Sequence, residues 1–217
     1  MGLFSRKKDT ASQEMVLLGV KGQIATMKCL LTAGIKEISL KTTLVSADGE
    51  IDQVSSYQCI NASDKSPTLT QGDFSVSGTR AILTYLDVRG KGQSLVPKKA
   101  RTLGLQNYWI DICYQVLASA TQAIISKQAT EEDKSCLEKV LSRLNAILAE
   151  NDYIVGQLSF ADPNVAAYIY VLRCSDHDMS KYPNIASWIS RLEANISGPL
   201  DVDYLSIATQ ASNSQVA

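Results

Sequence analysis

Apolar residues in this chain keep two rhythms, and the change between them falls near the middle. Met15 to Val20 is a short apolar run closing on glycine, which suits a buried strand. From Ile24 to Ala33 the positions Ile24, Met27, Leu30 and Leu31 share one helical face, and Gly34 is expected to stop that helix. Glu37 to Val45 alternates through Ile38, Leu40, Thr42 and Leu44, as a half-buried strand does. Asp48-Gly49 turns the chain. Thr68 to Thr70 and Phe74 to Val76 flank Gln71-Gly72-Asp73 as the arms of a hairpin. Helical spacing returns from Arg80 to Val88 through Ala81, Ile82, Tyr85 and Leu86.

Beyond this point the pattern is helical throughout. Lys98 to Ser126 keeps Leu103, Leu105, Tyr108, Trp109, Ile112, Val116 and Leu117 in step, and Glu131 to Glu150 repeats the beat through Leu137, Leu141, Leu144 and Leu148. Asn164 to Leu172 is apolar nearly all round, as expected of a helix at the centre of a bundle. A last short helix is expected from Ile185 to Leu192. The reading is an α/β domain over 15–88, a linker rich in glycine and proline over 89–97, and an all-helical domain over 98–205. Residues 1–14 read as a disordered leader and 206–217, rich in Ser, Gln, Asn and Ala, as a flexible tail.

Composition narrows the functions. The chain has 217 residues, 45% hydrophobic and 20% charged, with a formal net charge of -1. That balance supplies no global field for nucleic acid, so none is expected as a partner. No apolar run approaches the ~20 residues of a membrane span. The leader carries Arg6, Lys7 and Lys8 without an apolar stretch behind them, so it is not a secretory signal. Its start misses a myristoylation signal by one place, because Arg6 stands where Ser or Thr is needed. Five scattered cysteines without a C-x-x-C pair point to reduced thiols and a cytoplasmic protein.

Two stretches carry a resemblance. Ile60-Asn61-Ala62-Ser63-Asp64-Lys65-Ser66-Pro67-Thr68-Leu69, continuing through Gln71-Gly72-Asp73 to Arg80-Ala81-Ile82-Leu83-Thr84-Tyr85-Leu86, is one. Tyr153-Ile154-Val155-Gly156 with Ser159-Phe160-Ala161-Asp162 is the other, closed by Tyr182-Pro183-Asn184-Ile185 and Trp188. These resemble the glutathione S-transferase superfamily, and Gly19 to Thr26 resembles its phi-like members. The resemblance implies a thioredoxin-like N-terminal domain, a helical C-terminal domain and a homodimer. On physical grounds Ser159 is expected to cap a helix while Asp162 answers its amide.

The resemblance also assigns a site, and the site departs from the family pattern. The family's thiol-activating hydroxyl falls at Gln23, which offers only an amide; Thr26, one turn on, is the other candidate. Lys65, Ser66 and Pro67 are implied to hold the glutathione backbone, with Pro67 where the family keeps a cis proline. The acidic or amide residue and Ser that hold the γ-glutamyl end read Gly78-Thr79. Losing one hydrogen bond to a charged group costs about 1.5–3 kcal/mol, one to two decades of affinity. Asp52 falls where a basic residue is usual, with Lys41 or Lys65 able to compensate. Tyr108 and Trp109 are candidates to line a hydrophobic cleft, against a role in the core or a dimer interface.

Other residues weigh less. Cys29 lies too deep in its helix to be a nucleophile and reads as core. Asp176-His177-Asp178 has the look of metal ligands, but adjacent loop residues seldom converge and His177 is the only histidine, so no metal is expected. Lys98, Lys99 and Arg101 read as a solvated helix start. The functional expectation is a glutathione transferase-like protein with an eroded glutathione site. Such a protein would be a non-conjugating binding or assembly module with a possible protein partner, as the gamma subunit of translation elongation factor 1 reuses this fold. The alternative is an active glutathione transferase or glutathione peroxidase working through Gln23 or Thr26, with glutathione as substrate rather than weak ligand.

Overall fold

The computed structural model describes residues 14–20, 22–45, 67–175 and 177–196. The expected leader, the turn at Asp48-Gly49, the candidates Asp52, Lys65 and Ser66, and the tail lie outside the described residues. Strand β1 (Met15–Val20) buries alternate residues, with Leu17 fully enclosed. It pairs in parallel with β2 (Leu40–Val45), Met15 opposite Leu40, across helix α1 (Ile24–Ile35). On its other side β1 pairs antiparallel with β3 (Thr68–Gln71), which turns through Gly72-Asp73 into β4 (Phe74–Ser77). Gly72 has φ 63, the left-handed conformation such a two-residue turn demands. The sheet order β2-β1-β3-β4 is the expected thioredoxin-like arrangement.

Helix α1 does not stop at Gly34. It runs to Ile35, and the left-handed closing residue is Glu37, φ 53, with Ile38 N donating to Ala33 O at 2.9 Å. Gly34 is needed for closeness instead: a Cβ there would come within 2.6 Å of Ile196. Strand β2 consequently begins at Leu40 rather than Glu37. Helix α2 (Thr79–Arg89) follows the hairpin.

The linker is pinned rather than loose. Lys36 Nζ lies 3.1 Å from Asp87 Oδ1, both almost wholly buried, and donates to Gln93 O at 2.8 Å. Asp87 also accepts from Leu95 N at 2.9 Å and Ser94 Oγ at 2.8 Å. Leu95 itself is buried, and its carbonyl accepts from Phe160 N at 3.0 Å.

The helical half begins with α3 (Ala100–Ile112), which passes through a π-helical stretch (Cys113–Leu117) into α4 (Ala118–Ile125). Lys98, Lys99 and Arg101 at its start are all exposed. Helix α5 (Glu131–Glu150) opens on a reciprocal capping box, Thr130 with Asp133, that the sequence reading did not single out. Helix α6 (Ala161–Arg173) starts three residues earlier than expected and is buried from Ala161 to Leu172, as the centre of a bundle should be. A 3-10 turn (Met179–Lys181) and α7 (Pro183–Ala194), with Pro183 in its first turn, complete the described chain.

Two cores result, and α1 serves both. Cys29 and Ala33 join Leu17, Leu69, Ile82 and Leu86 beneath the sheet. Met27 and Leu31, on the other face of the same helix, join Trp109, Leu141, Val165 and Trp188 among the helices. Each such side chain contributes roughly 1.5–3 kcal/mol, so the two halves are held together by apolar packing along α1. No helix among the described residues is long and apolar enough to cross a membrane.

Candidate functional site

The sheet topology gathers the site. Strands β1 and β4 both run antiparallel to β3, so their carboxyl ends lie at one edge of the sheet. Helix α1 starts after β1 and helix α2 after β4, each with its positive end at that edge. The register sets Leu18 opposite Thr68 and Thr68 opposite Ser77, which brings Gln23, Pro67 and Gly78-Thr79 to one edge. With strands about 4.8 Å apart, the two helix starts are separated by roughly 10 Å. Four of the residues named from the sequence, Gln23, Pro67, Gly78 and Thr79, therefore lie at the same edge.

At the first helix start Gly22 turns the chain with φ 77, and Gln23 N donates to Val20 O at 3.2 Å. Gln23 is the extended N-cap residue, and its side chain does not bond the helix's first amides. No acidic residue occupies the helix's first turn. Thr26 sits one turn on, but its hydroxyl faces the strand rather than the helix start. A Cβ on Gly19 would fall 2.6 Å from Thr26 Oγ1, which is how closely the two elements pack. Thr26 is 3% exposed and its Oγ1 has no hydrogen-bond partner among the described residues. A thiol in front of α1 would therefore meet backbone amides and the Gln23 carboxamide, not the Thr26 hydroxyl.

The second helix start is open. Gly78 is the N-cap residue of α2 with φ 95, a conformation that favours glycine, and its amide donates to Pro67 O at 3.2 Å. Among the described residues nothing lies within 4 Å of where its Cβ would stand. Thr79 is the half-buried first residue of the helix, and the first turn contains no acid. Beneath it Thr68 Oγ1 and Ser77 Oγ share a hydrogen bond of 2.8 Å that ties the two strand ends. Such a helix start suits an anion.

The cysteines do not extend this chemistry. Burial pushes the Cys29 and Cys113 thiols up to about 12, so both stay protonated near neutrality. Cys29 is core, in agreement with the sequence reading. Lys28, which the sequence reading passed over, lies between these thiols. Its ammonium sits 4.8 Å from the Tyr168 ring and 5.1 Å from the Tyr114 ring, and burial lowers its pKa. Tyr114 stands on the π-helical stretch and is more than half exposed. The available signal was a lysine interrupting the buried face between Met27 and Leu31.

The two cleft candidates part company. Trp109 is 2% exposed and fills the helical core beside Cys113 and Val165, so it lines no cleft. Its size and position on the inward stripe of α3 account for this. Tyr108, one residue before it, points outward, accepts from Arg143 Nη1 at 3.0 Å and carries the guanidinium over its ring at 5.1 Å. Asp178 caps its own turn through Ser180, and among the described residues no cluster of three potential ligands could hold a metal.

A structural motif closes the helical half. Ser159 N donates to Asp162 Oδ2 at 2.8 Å, the expected half of a capping box. The Ser159 hydroxyl instead accepts from Ala161 N at 3.2 Å and donates to Asp162 at 3.2 Å. Asp162 Oδ1 accepts from Ile154 N and from Trp188 Nε1, both at 3.1 Å, so one carboxylate joins three segments.

Comparisons with known proteins bear on these elements. The model of the glutathione S-transferase C-terminal domain matches residues 111–195. Glutathione S-transferase D6 of Drosophila melanogaster is 29% identical over 182 residues, spanning 80% of this chain and 85% of that protein. Among solved structures, a delta-class glutathione transferase of Nilaparvata lugens superposes with a TM-score of 0.78 at 25% identity, covering 92% of this chain and 99% of its own. A theta-class enzyme of Xanthomonas axonopodis, solved with glutathione bound, superposes with a TM-score of 0.67 at 18% identity, covering 87% and 99%. The classes named are delta and theta, so the phi-like likeness at the start of α1 gains no support from them.

Proposed function

We propose, from the family model matched over residues 111–195 and the likeness to the Drosophila transferase, that this chain is a glutathione S-transferase superfamily member with an eroded glutathione site, acting as a non-conjugating binding or assembly module. The observation that carries this reading is the first helix start. Gln23 stands at the N-cap of α1, and the hydroxyl of Thr26, one turn on, is buried against Gly19. A bound thiol would keep the help of the helix end but lose a short hydroxyl donor. Gly78 adds to this, because glycine itself offers no side-chain partner for an ammonium. Thr79 and the open start of α2 are still suited to the γ-glutamyl carboxylate, and Lys65, Ser66 and Pro67 to the peptide backbone. Weak glutathione binding without turnover is the expected behaviour.

A second reading, an active transferase or glutathione peroxidase working through the Gln23 carboxamide, is favoured by the likeness to the Drosophila transferase. Chlorodinitrobenzene conjugation, run beside calorimetry with glutathione, separates the two. Under the first reading the wild-type chain binds glutathione in the millimolar range and turns over at background. Gln23→Ser then raises kcat/KM by about 100- to 1,000-fold, the usual contribution of one well-placed donor. Wild-type turnover that vanishes on Gln23→Ala or Thr26→Ala overturns the first reading in favour of the second.

The wider reading has two units, 15–88 and 98–205, joined through 89–97, in a cytoplasmic homodimer able to dock a protein partner. Among the described residues Cys29, Cys113 and Cys136 form no disulfide, which fits a reducing compartment. For self-association the support is an exposed face of α2 formed by Ala81, Thr84 and Val88, beside the stacked rings of Phe74 and Tyr85, 4.6 Å apart.

A further inference from the structure

The helical half holds a hollow of about 350 Å³ whose lining shares no residue with the site above. The end of α4, the turn after it, the first turns of α5 and the Met179–Lys181 turn build it. Ile124 and Ala129 supply apolar lining. Three ammonium groups, those of Lys127, Lys134 and Lys181, and the imidazole of His177 share it with the carboxylates of Glu138 and Asp178. Both carboxylates have other business. Asp178 Oδ1 accepts from Ser180 N at 3.0 Å and Ser180 Oγ at 2.6 Å, while Glu138 lies 3.9 Å from Lys181 Nζ. Lys134 reaches out to Glu131 at 2.7 Å. His177 Nε2 is buried with no hydrogen-bond partner among the described residues. Lys127 is held at φ 56, a left-handed conformation uncommon outside glycine, and so starts the turn that walls the hollow.

We propose that this hollow is an anion site taking a phosphate group, free or on a small monoester, held by Lys134, Lys181 and His177. The donors come from separate elements on flexible stems, so they approach from different directions. A tetrahedral dianion offers acceptors in all of them, whereas a carboxylate offers two oxygens in one plane. The lining itself is net cationic, its lysines exceeding its carboxylates by one charge, so an anion is the favoured guest. The orphaned imidazole nitrogen gains a hydrogen bond at the same step. Burial now holds His177 below its usual pKa, aided by Lys181 and opposed by Glu138 and Asp178. A bound dianion reverses that balance and draws a proton onto the ring.

The only histidine of the chain gives an unambiguous ring signal in proton NMR. The full chain is titrated with inorganic phosphate, with phenyl phosphate, and with sulfate as a dianion that does not itself titrate near neutrality. A saturable shift of the His177 signals is expected, and saturating sulfate raises its titration midpoint by about one pH unit, equivalent to about tenfold tighter binding to the charged ring. Lys134→Gln and Lys181→Gln, both at exposed side chains, each weaken binding by about tenfold or more with the unfolding midpoint unchanged. Tighter binding of phenyl phosphate than of phosphate identifies the monoester, and equal binding the free ion. A drift that never saturates, that chloride reproduces at equal ionic strength, or that both lysine variants retain in full overturns the site.

Discussion

Asp162 shows how one residue can carry both packing and electrostatics. It is fully buried and accepts from Ile154 N, Ser159 N, Ser159 Oγ and Trp188 Nε1. Burial nevertheless pushes its carboxyl from an ordinary 3.8 up to about 6, because desolvation outweighs those hydrogen bonds. The folded state therefore holds the proton more tightly than the unfolded chain. Its contribution to stability is fully present below the unfolded value and is lost as pH rises through the folded one. Between about pH 4 and 6 this costs up to roughly 3 kcal/mol, a slope that Asp162→Asn removes. Urea unfolding of both chains across that range checks it: the stability of the wild type relative to the variant falls with rising pH. Equal slopes in the two chains would refute the assignment.

At the scale of elements, the segment joining the two halves is governed by a buried ion pair. Lys36 at the end of α1 and Asp87 near the end of α2 close on each other at 3.1 Å and together hold Gln93, Ser94 and Leu95. A Cβ on Gly90 would meet Lys36 Cβ at 2.4 Å, so the chain leaves α2 with no room to spare. Breaking such a pair leaves a buried charge unmatched. Asp87→Ala is expected to cost about 3–5 kcal/mol, and the double variant Lys36→Met with Asp87→Ala to cost distinctly less than that single change. Guanidinium denaturation measures both, and a double variant that is the least stable of the set would contradict the account. The same clamp explains why a stretch rich in glycine and proline is ordered, since its backbone groups have buried partners.

Across the whole molecule, α1 is the shared wall: one face packs beneath the sheet and the other among the helices. The outer face of α2 is where a second copy is expected to sit, with Val88 77% exposed beside the Phe74–Tyr85 stack. Sedimentation equilibrium is expected to give the mass of two chains. Val88→Glu places a charge in that face and raises the dissociation constant by at least about tenfold, without lowering the unfolding midpoint of the single chain. A wild-type mass near one chain at micromolar concentration would remove the homodimer from the proposal.

What the sequence determined by itself was the order and kind of elements. Strand alternation in Leu40 to Val45, helical spacing in Glu131 to Glu150 and the Gln71-to-Phe74 turn are local properties, set by period and turn chemistry over a few residues. The motif residues also named Gln23, Pro67, Gly78 and Thr79 as candidates, each of which marks a strand end or a helix start. Tertiary structure decided the rest. Gly34 reads as a helix stop, yet Ile196 uses it as a place of close approach. Trp109 reads as either a cleft or a core residue, and its stripe faces the core. Thr26 reads as a hydroxyl one turn from the thiol, yet Gly19 takes its open side. Periodicity says that a residue lies on a face, but which neighbour fills that face depends on segments far away in the chain. The hollow around His177 is of that kind, since its lysines come from turns and helices that no local pattern brings together.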